Sequence, residues 1–262
     1  MPFTLAHPAA ILPLYRWSKA RLPLSALIIG SMSPDLEKFV PGGFTAISHT
    51  ARGLFYFCWP MGMAIWVVFL LLLKQPTIAL MPDALRARMS SSATKLNPLL
   101  VFLASISVII GAVTHVIWDS FTHRASPLVA ILLSLQMVLT NIDGHPLRVY
   151  KLLQHVSTVL GLLVMTVWVF IVWKRAHQYT RTTEHQAHSM PPPTLSTAWR
   201  LVAIAAIAVS SCVGATIDYV FHAHLALEPR LSFLAVGGIT AGALAWCAIA
   251  IVIVYKGQTT RT

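Results

Sequence analysis

Charge is what this chain has least of. Only 10% of its 262 residues are Asp, Glu, Lys or Arg, against about 25% in a soluble domain. Acidic residues number eight against 19 basic ones. With 56% hydrophobic residues and a mean hydropathy of +0.72, this scarcity excludes an ordinary soluble fold. Cysteine is scarce too: Cys58, Cys212 and Cys247 lie far apart in apolar segments. They read as small buried hydrophobes and not as disulfides or zinc thiolates. The sequence has no Gly-rich phosphate loop, no Gly-x-Ser-x-Gly elbow and no His-Glu-x-x-His, so P-loop, serine-hydrolase and zincin chemistries are not expected. Met1-Pro2-Phe3-Thr4 lacks the basic start of a secretory leader, which leaves insertion to the membrane segments themselves.

Long apolar runs take the place of charge. Stretches near 53–73, 98–118, 155–173, 201–221 and 231–255 are each long enough to cross a hydrocarbon core. Leu22 to Met32 and Pro127 to Thr140 are shorter; each reads as re-entrant, interfacial, or spanning with the help of flanking residues. The expected fold is all-α, a polytopic membrane helical bundle with about five to seven membrane-inserted helices. A β-barrel is disfavoured because the runs are continuously apolar and do not alternate. The loop 74–97 holds Pro76, Pro82 and a Ser run, with room for a short helix at 81–88. The polar stretch 174–198 contains Pro191-Pro192-Pro193 and reads as a linker. It separates a motif-bearing membrane domain, 1–173, from a C-terminal transmembrane helix pair, 199–262.

The net charge of +11 does not imply nucleic acid. Arg52, Lys74, Arg88, Lys95, Lys151, Lys174, Arg175, Arg200 and Lys256 flank the apolar runs, where charges set topology and meet lipid headgroups. Membrane lipids are therefore the expected partners. If neither short stretch spans, residues 1–52, 119–154 and 222–230 share one side of the membrane. The other side is richer in Lys and Arg and is expected to face the cytoplasm.

Thr114-His115-Val116-Ile117-Trp118-Asp119-Ser120-Phe121-Thr122-His123 is the sharpest chemical signal. Residues four apart share a helix face, so His115 and Asp119 point the same way at the end of an apolar run, with His123 one turn on. An ionisable residue there is a functional hypothesis by default. The same topology gathers His7, His49, His115, His123, His145, His155, His222 and His224 near one face. Imidazole and carboxylate are preferred ligands of Zn²⁺ and similar ions. Taken singly, Asp35 in Ser33-Pro34-Asp35 also reads as a turn or helix cap, and His7 before Pro8 as a loop histidine. His155 reads equally as a headgroup contact, and His145 as solvated in a turn. Asp218 and His222, again four apart, are a candidate supporting pair for a metal site or proton relay. Arg52, three residues after His49, is a candidate phosphate contact or a topology charge.

The order Met1-Pro2-Phe3-Thr4, His7-Pro8-Ala9-Ala10, Ser33-Pro34-Asp35, Ser48-His49-Thr50, Gly111 to His123 and Tyr150 to Ser157 resembles a bacterial integral-membrane family of unknown function. More distantly it is similar to membrane-bound metal-dependent hydrolases and to the zinc-dependent phospholipase C family. That second resemblance implies His7, Asp35, His49, His115, Asp119, His123 and His155 as metal ligands, with Asp35 also a general base or bridging ligand. Two departures stand out: Val159 occupies the position of the last Glu ligand, and no Trp precedes His7. The expectation is a membrane-embedded, zinc-type metal-dependent hydrolase of a phosphoester or lipid. Its rivals are a non-catalytic structural or sensory metal site, and a metal or proton transporter. The last needs ionisable groups at mid-membrane depth, whereas these lie at helix ends.

Overall fold

The helix Pro98–Thr122 is the element around which the motif-bearing part of the chain is arranged. Asn97 caps it by accepting from the Leu100 N–H at 2.7 Å, and Pro98 supplies the pre-set first turn. The helix ends where His123 turns extended. Its buried residues Ala104, Ser107, Val108, Gly111, Ala112, His115, Asp119 and Thr122 recur at helical spacing, so the inward face is small at one end and ionisable at the other. The computed structural model describes residues 3–39, 47–89, 96–142, 145–183, 195–225 and 227–259. Among the described residues five helical stretches are long and apolar enough to cross a membrane: Ala51–Leu80, Pro98–Ile131 (by its helix Pro98–Thr122), Val149–Gln178, Thr197–Phe221 and Arg230–Val254. The chain is an all-α integral membrane protein.

Both short apolar stretches fall short of spanning. Leu24–Met32 has nine residues, about 13 Å of helix against a core of about 30 Å. It packs on Pro98–Thr122 with backbones in contact. A Cβ on Gly30 would collide with the Val108 backbone, and one on Gly111 with the Leu27 carbonyl and, at 2.5 Å, the Ser31 N–H. The second stretch breaks into Pro127–Ile131 and Leu133–Gln136, then an antiparallel hairpin of Val138–Ile142 with His145–Arg148. Arg148 clamps it by donating to the Gln136 carbonyl at 2.8 Å. Asp143 and Gly144 of the expected turn lie outside the described residues, as does 184–194, the middle of the expected linker. Residues 174–183 are instead the end of the helix Val149–Thr183.

The chain divides into two compact units. One comprises residues 1–67 and 95–171. It contains the 3₁₀ segments Thr4–Ala10 and Ser33–Phe39. Within it Trp59 donates to Ser105 Oγ at 2.6 Å and Trp66 to Ser25 Oγ at 3.2 Å, which satisfies both indole N–H groups where water is absent. The other comprises 68–94 and 172–262. There Thr197–Phe221 packs on Leu227–Thr259 through Gly214, Gly237 and Gly242, and Arg200 bonds Asp83 at 2.6 Å. Residues 68–94 join the C-terminal helices because Lys74–Leu80 packs against them and Asp83 is held by Arg200.

Candidate metal centre

Three structural elements and one turn bring the polar side chains together. The 3₁₀ segment Ser33–Phe39 carries Asp35, Glu37 and Lys38. The turn before helix Ala51–Leu80 carries Ser48 and His49; Thr50 fixes it by accepting from the Gly53 N–H at 3.0 Å. Helix Pro98–Thr122 carries His115 and Asp119, and Thr4–Ala10 carries His7. His7, Asp35, Glu37, Ser48, His115 and Asp119 are all buried.

Asp35, His49, His115 and Asp119 offer ligand atoms that lie within 4.8 Å of one another. His115 Nε2 is 3.2 Å from Asp119 Oδ2 and 3.7 Å from Asp35 Oδ1. His49 Nε2 is 3.3 Å and 3.8 Å from the same two oxygens. An ion with bonds of about 2.0–2.1 Å in tetrahedral geometry has ligand-to-ligand edges of about 3.3–3.4 Å, so the spacing fits.

The tautomers decide what those contacts are. His115 Nδ1 lies 2.7 Å from the Ser31 backbone carbonyl, an acceptor only, so Nδ1 holds a proton and Nε2 is the nitrogen turned to the carboxylates. The Ser48 hydroxyl donates to Glu37 Oε2 and sits 2.8 Å from His49 Nδ1. It therefore accepts from Nδ1, and in His49 too Nε2 is the nitrogen turned to the carboxylates. Two imidazole Nε2 atoms thus converge on two carboxylates. His49 Nε2, His115 Nε2 and both Asp119 oxygens are buried without a hydrogen-bond partner. With both rings neutral this is a set of acceptors that a metal cation would satisfy.

Asp119 also faces the other way. Its Oδ1 lies 3.5 Å from His7 Nε2 and 3.5 Å from His123 Nδ1. His7 stacks on His115 with ring centroids 3.7 Å apart, and both its nitrogens are buried without partners. Burial, aided by the neighbouring His115, lowers the His7 pKa to about 3, so the ring stays neutral and able to ligate. The Asp35 carboxyl is pushed up by burial but pulled down further by the Lys38 ammonium and by the hydrogen bonds from Lys38 and Thr4. It is held below the ordinary carboxylate range and is ionised.

Of the sequence-derived ligands, the structure gathers His7, Asp35, His49, His115, Asp119 and His123. His155 is a correction: it is exposed. Its helix turns Gln154, Thr158 and Gly161 inward: Thr158 accepts from the Phe3 N–H at 3.2 Å, and a Cβ at Gly161 would meet Ala6 at 2.8 Å. His155 sits one residue off that face, and Val159, one turn on, is 66% exposed. The His-x3-Glu element of the phospholipase resemblance is therefore changed at one position and turned outward at both. Arg52 is exposed on the first turn after His49. Asp218 and His222 belong to the second unit and make their contacts there: His222 stacks on Phe233 at 3.6 Å and bonds the Asp218 carbonyl at 2.8 Å. Sequence reasoning missed Glu37, Ser48 and Lys38. The one signal for them was adjacency, since Glu37 and Lys38 come just after Asp35 and Ser48 precedes His49.

The family model for a domain of unknown function, DUF4184, matches residues 1–255. No curated protein and no solved structure matches the chain to a significant degree. The chain belongs to the DUF4184 family.

Proposed function

We propose that this DUF4184 protein is a metal-dependent hydrolase of a bacterial cytoplasmic membrane, acting on a phosphoester or lipid at the interface. The observation that carries the reading is the convergence of His49 Nε2 and His115 Nε2 on the Asp35 and Asp119 carboxylates. Zinc suits a donor set of two imidazoles and two carboxylates. His7 Nε2, beside the other oxygen of Asp119, would be a ligand for a second ion; His123 donates its Nδ1–H to the Asp119 backbone carbonyl and would offer Nε2.

A bound divalent ion supplies a polarised ester oxygen and a water of lowered pKa. The protein's own residues do the rest. Glu37, through Ser48, holds His49 in one orientation, and the Ser31 carbonyl does the same for His115; partners of this kind also raise ligand basicity. Asp35, whose two oxygens accept from Lys38 and Thr4, would serve as a bridging ligand or as the general base toward a metal-bound water. The half-open side of the cluster is lined by His49 and His123.

Location supports an interfacial substrate. His115 and Asp119 lie about 25–32 Å along a helix that starts at Pro98, which is the thickness of the hydrocarbon core. Immediately beyond, Ile131, Leu133, Met137 and Leu139 are all at least half exposed in a segment too short to span. Such a segment suits the headgroup boundary.

A structural or sensory metal site is the second reading, favoured by the outward-facing Val159 where a further carboxylate would complete the phospholipase pattern. The two separate in one assay. Metal-loaded protein in lipid micelles is incubated with a panel of phospholipids and soluble phosphoesters, with Asp119→Asn as control. Turnover that the variant loses supports the hydrolase. Metal retention without turnover on any substrate supports the structural or sensory site.

A further inference from the structure

Lys38 is a cation placed beside the cluster that neither the metal-ligand set nor the hydrolase reading uses. Residues three apart eclipse in a 3₁₀ turn, and Asp35 and Lys38 are three apart in Ser33–Phe39. Lys38 Nζ reaches Asp35 Oδ1 at 2.5 Å, the same oxygen that faces His49 Nε2 and His115 Nε2. The ammonium therefore borders the space on which the ligand atoms converge.

Exposure shows which way that space opens. The side chains of Asp35, His115, His7 and Asp119 are at most 5% exposed, whereas Lys38 is 22% and His49 and His123 are 26% exposed. Lys38 thus stands with the two outer histidines at the accessible edge. An ammonium carries three N–H donors. One is directed at Asp35 Oδ1, which leaves donors for an acceptor arriving from outside.

We infer that Lys38 is the anion-contact residue of this site, and that the ester it takes carries a negatively charged oxygen next to the bond that is cut. The inference rests on the metal-hydrolase reading and narrows its substrate to phosphoesters, excluding neutral carboxylic esters and amides. It also moves the anion contact from Arg52, which the sequence suggested, to a residue that touches a proposed metal ligand.

The test uses the full chain loaded with Co²⁺, whose visible absorption reports its coordination, and inorganic phosphate as probe. Native protein is expected to bind Co²⁺ and to change its spectrum on phosphate addition. Lys38→Met is expected to keep the Co²⁺ content and lose at least tenfold in phosphate affinity, and Lys38→Arg to recover most of it. Glycerol phosphate and phosphatidate in mixed micelles, added as competitors, tell a soluble phosphoester from a lipid headgroup. Lys38→Met with native phosphate affinity overturns the inference while leaving the metal site standing. Loss of both Co²⁺ and phosphate in Lys38→Met overturns it in favour of a structural ion pair. Failure of native protein to bind Co²⁺ overturns the metal reading itself.

Discussion

At the scale of single residues, hydrogen-bond direction matters more than residue type. His115 and His155 are both histidines at membrane helix ends, yet one is fully buried with its Nδ1 proton committed to the Ser31 carbonyl, and the other is exposed. His155→Ala is therefore expected to leave metal content at the native level when both proteins are assayed by elemental analysis. Glu37 touches no ligand atom of the cluster closely, but it anchors Ser48 and through it His49. Glu37→Gln should weaken metal affinity about 10- to 100-fold, the usual effect of losing a ligand's orienting partner, as read by chelator competition. An unchanged affinity would mean that His49 is held by something else. The spacing of His115 and Asp119 was legible in the sequence because a helix fixes it. The Glu37–Ser48–His49 chain was not, because it forms between two segments whose meeting depends on the tertiary fold.

At the scale of elements, close backbone approach sets the site. Leu24–Met32 can bring the Ser31 carbonyl to His115 only because Gly30 and Gly111 let two helices touch. A larger side chain at Gly111 must push the Leu27 and Ser31 backbone away. Gly111→Leu is expected to cost about 1–3 kcal/mol or more, as overpacking does, and to abolish metal binding together with the lowered thermal midpoint in detergent. A variant that melts lower but keeps its metal would show that the contact supports the fold and not the site. The failed expectation for His155 belongs to this scale as well. Spacing from a resemblance carries no helix phase, and the phase here is set by Thr158 and Gly161 packing on Phe3 and Ala6. The short stretches 22–32 and 127–140 could not be resolved by apolar length alone. The outcome for 127–140 depended on the breaks around Leu132 and on the hairpin closed by Arg148, and that for 22–32 on a nine-residue helix packed against Pro98–Thr122.

At the scale of the whole molecule, five helices that each cross the membrane would place successive loops on alternate sides. Topology reporters inserted near residues 90 and 188 and at the C-terminus should give one sign, and those near 125 and 224 the other. A reporter near 125 that agrees with one near 90 would remove the span between them. On this arrangement the cluster lies on the side shared by 123–148. The functional reading depends on a cation being held where two imidazoles and two carboxylates converge. The most direct test is the metal content of native protein purified without chelators, beside His115→Ala and Asp119→Ala. The account predicts at least one equivalent of a divalent transition metal, zinc foremost, in the native protein and close to none in either variant. A native protein that stays folded, is offered zinc and retains none would contradict it.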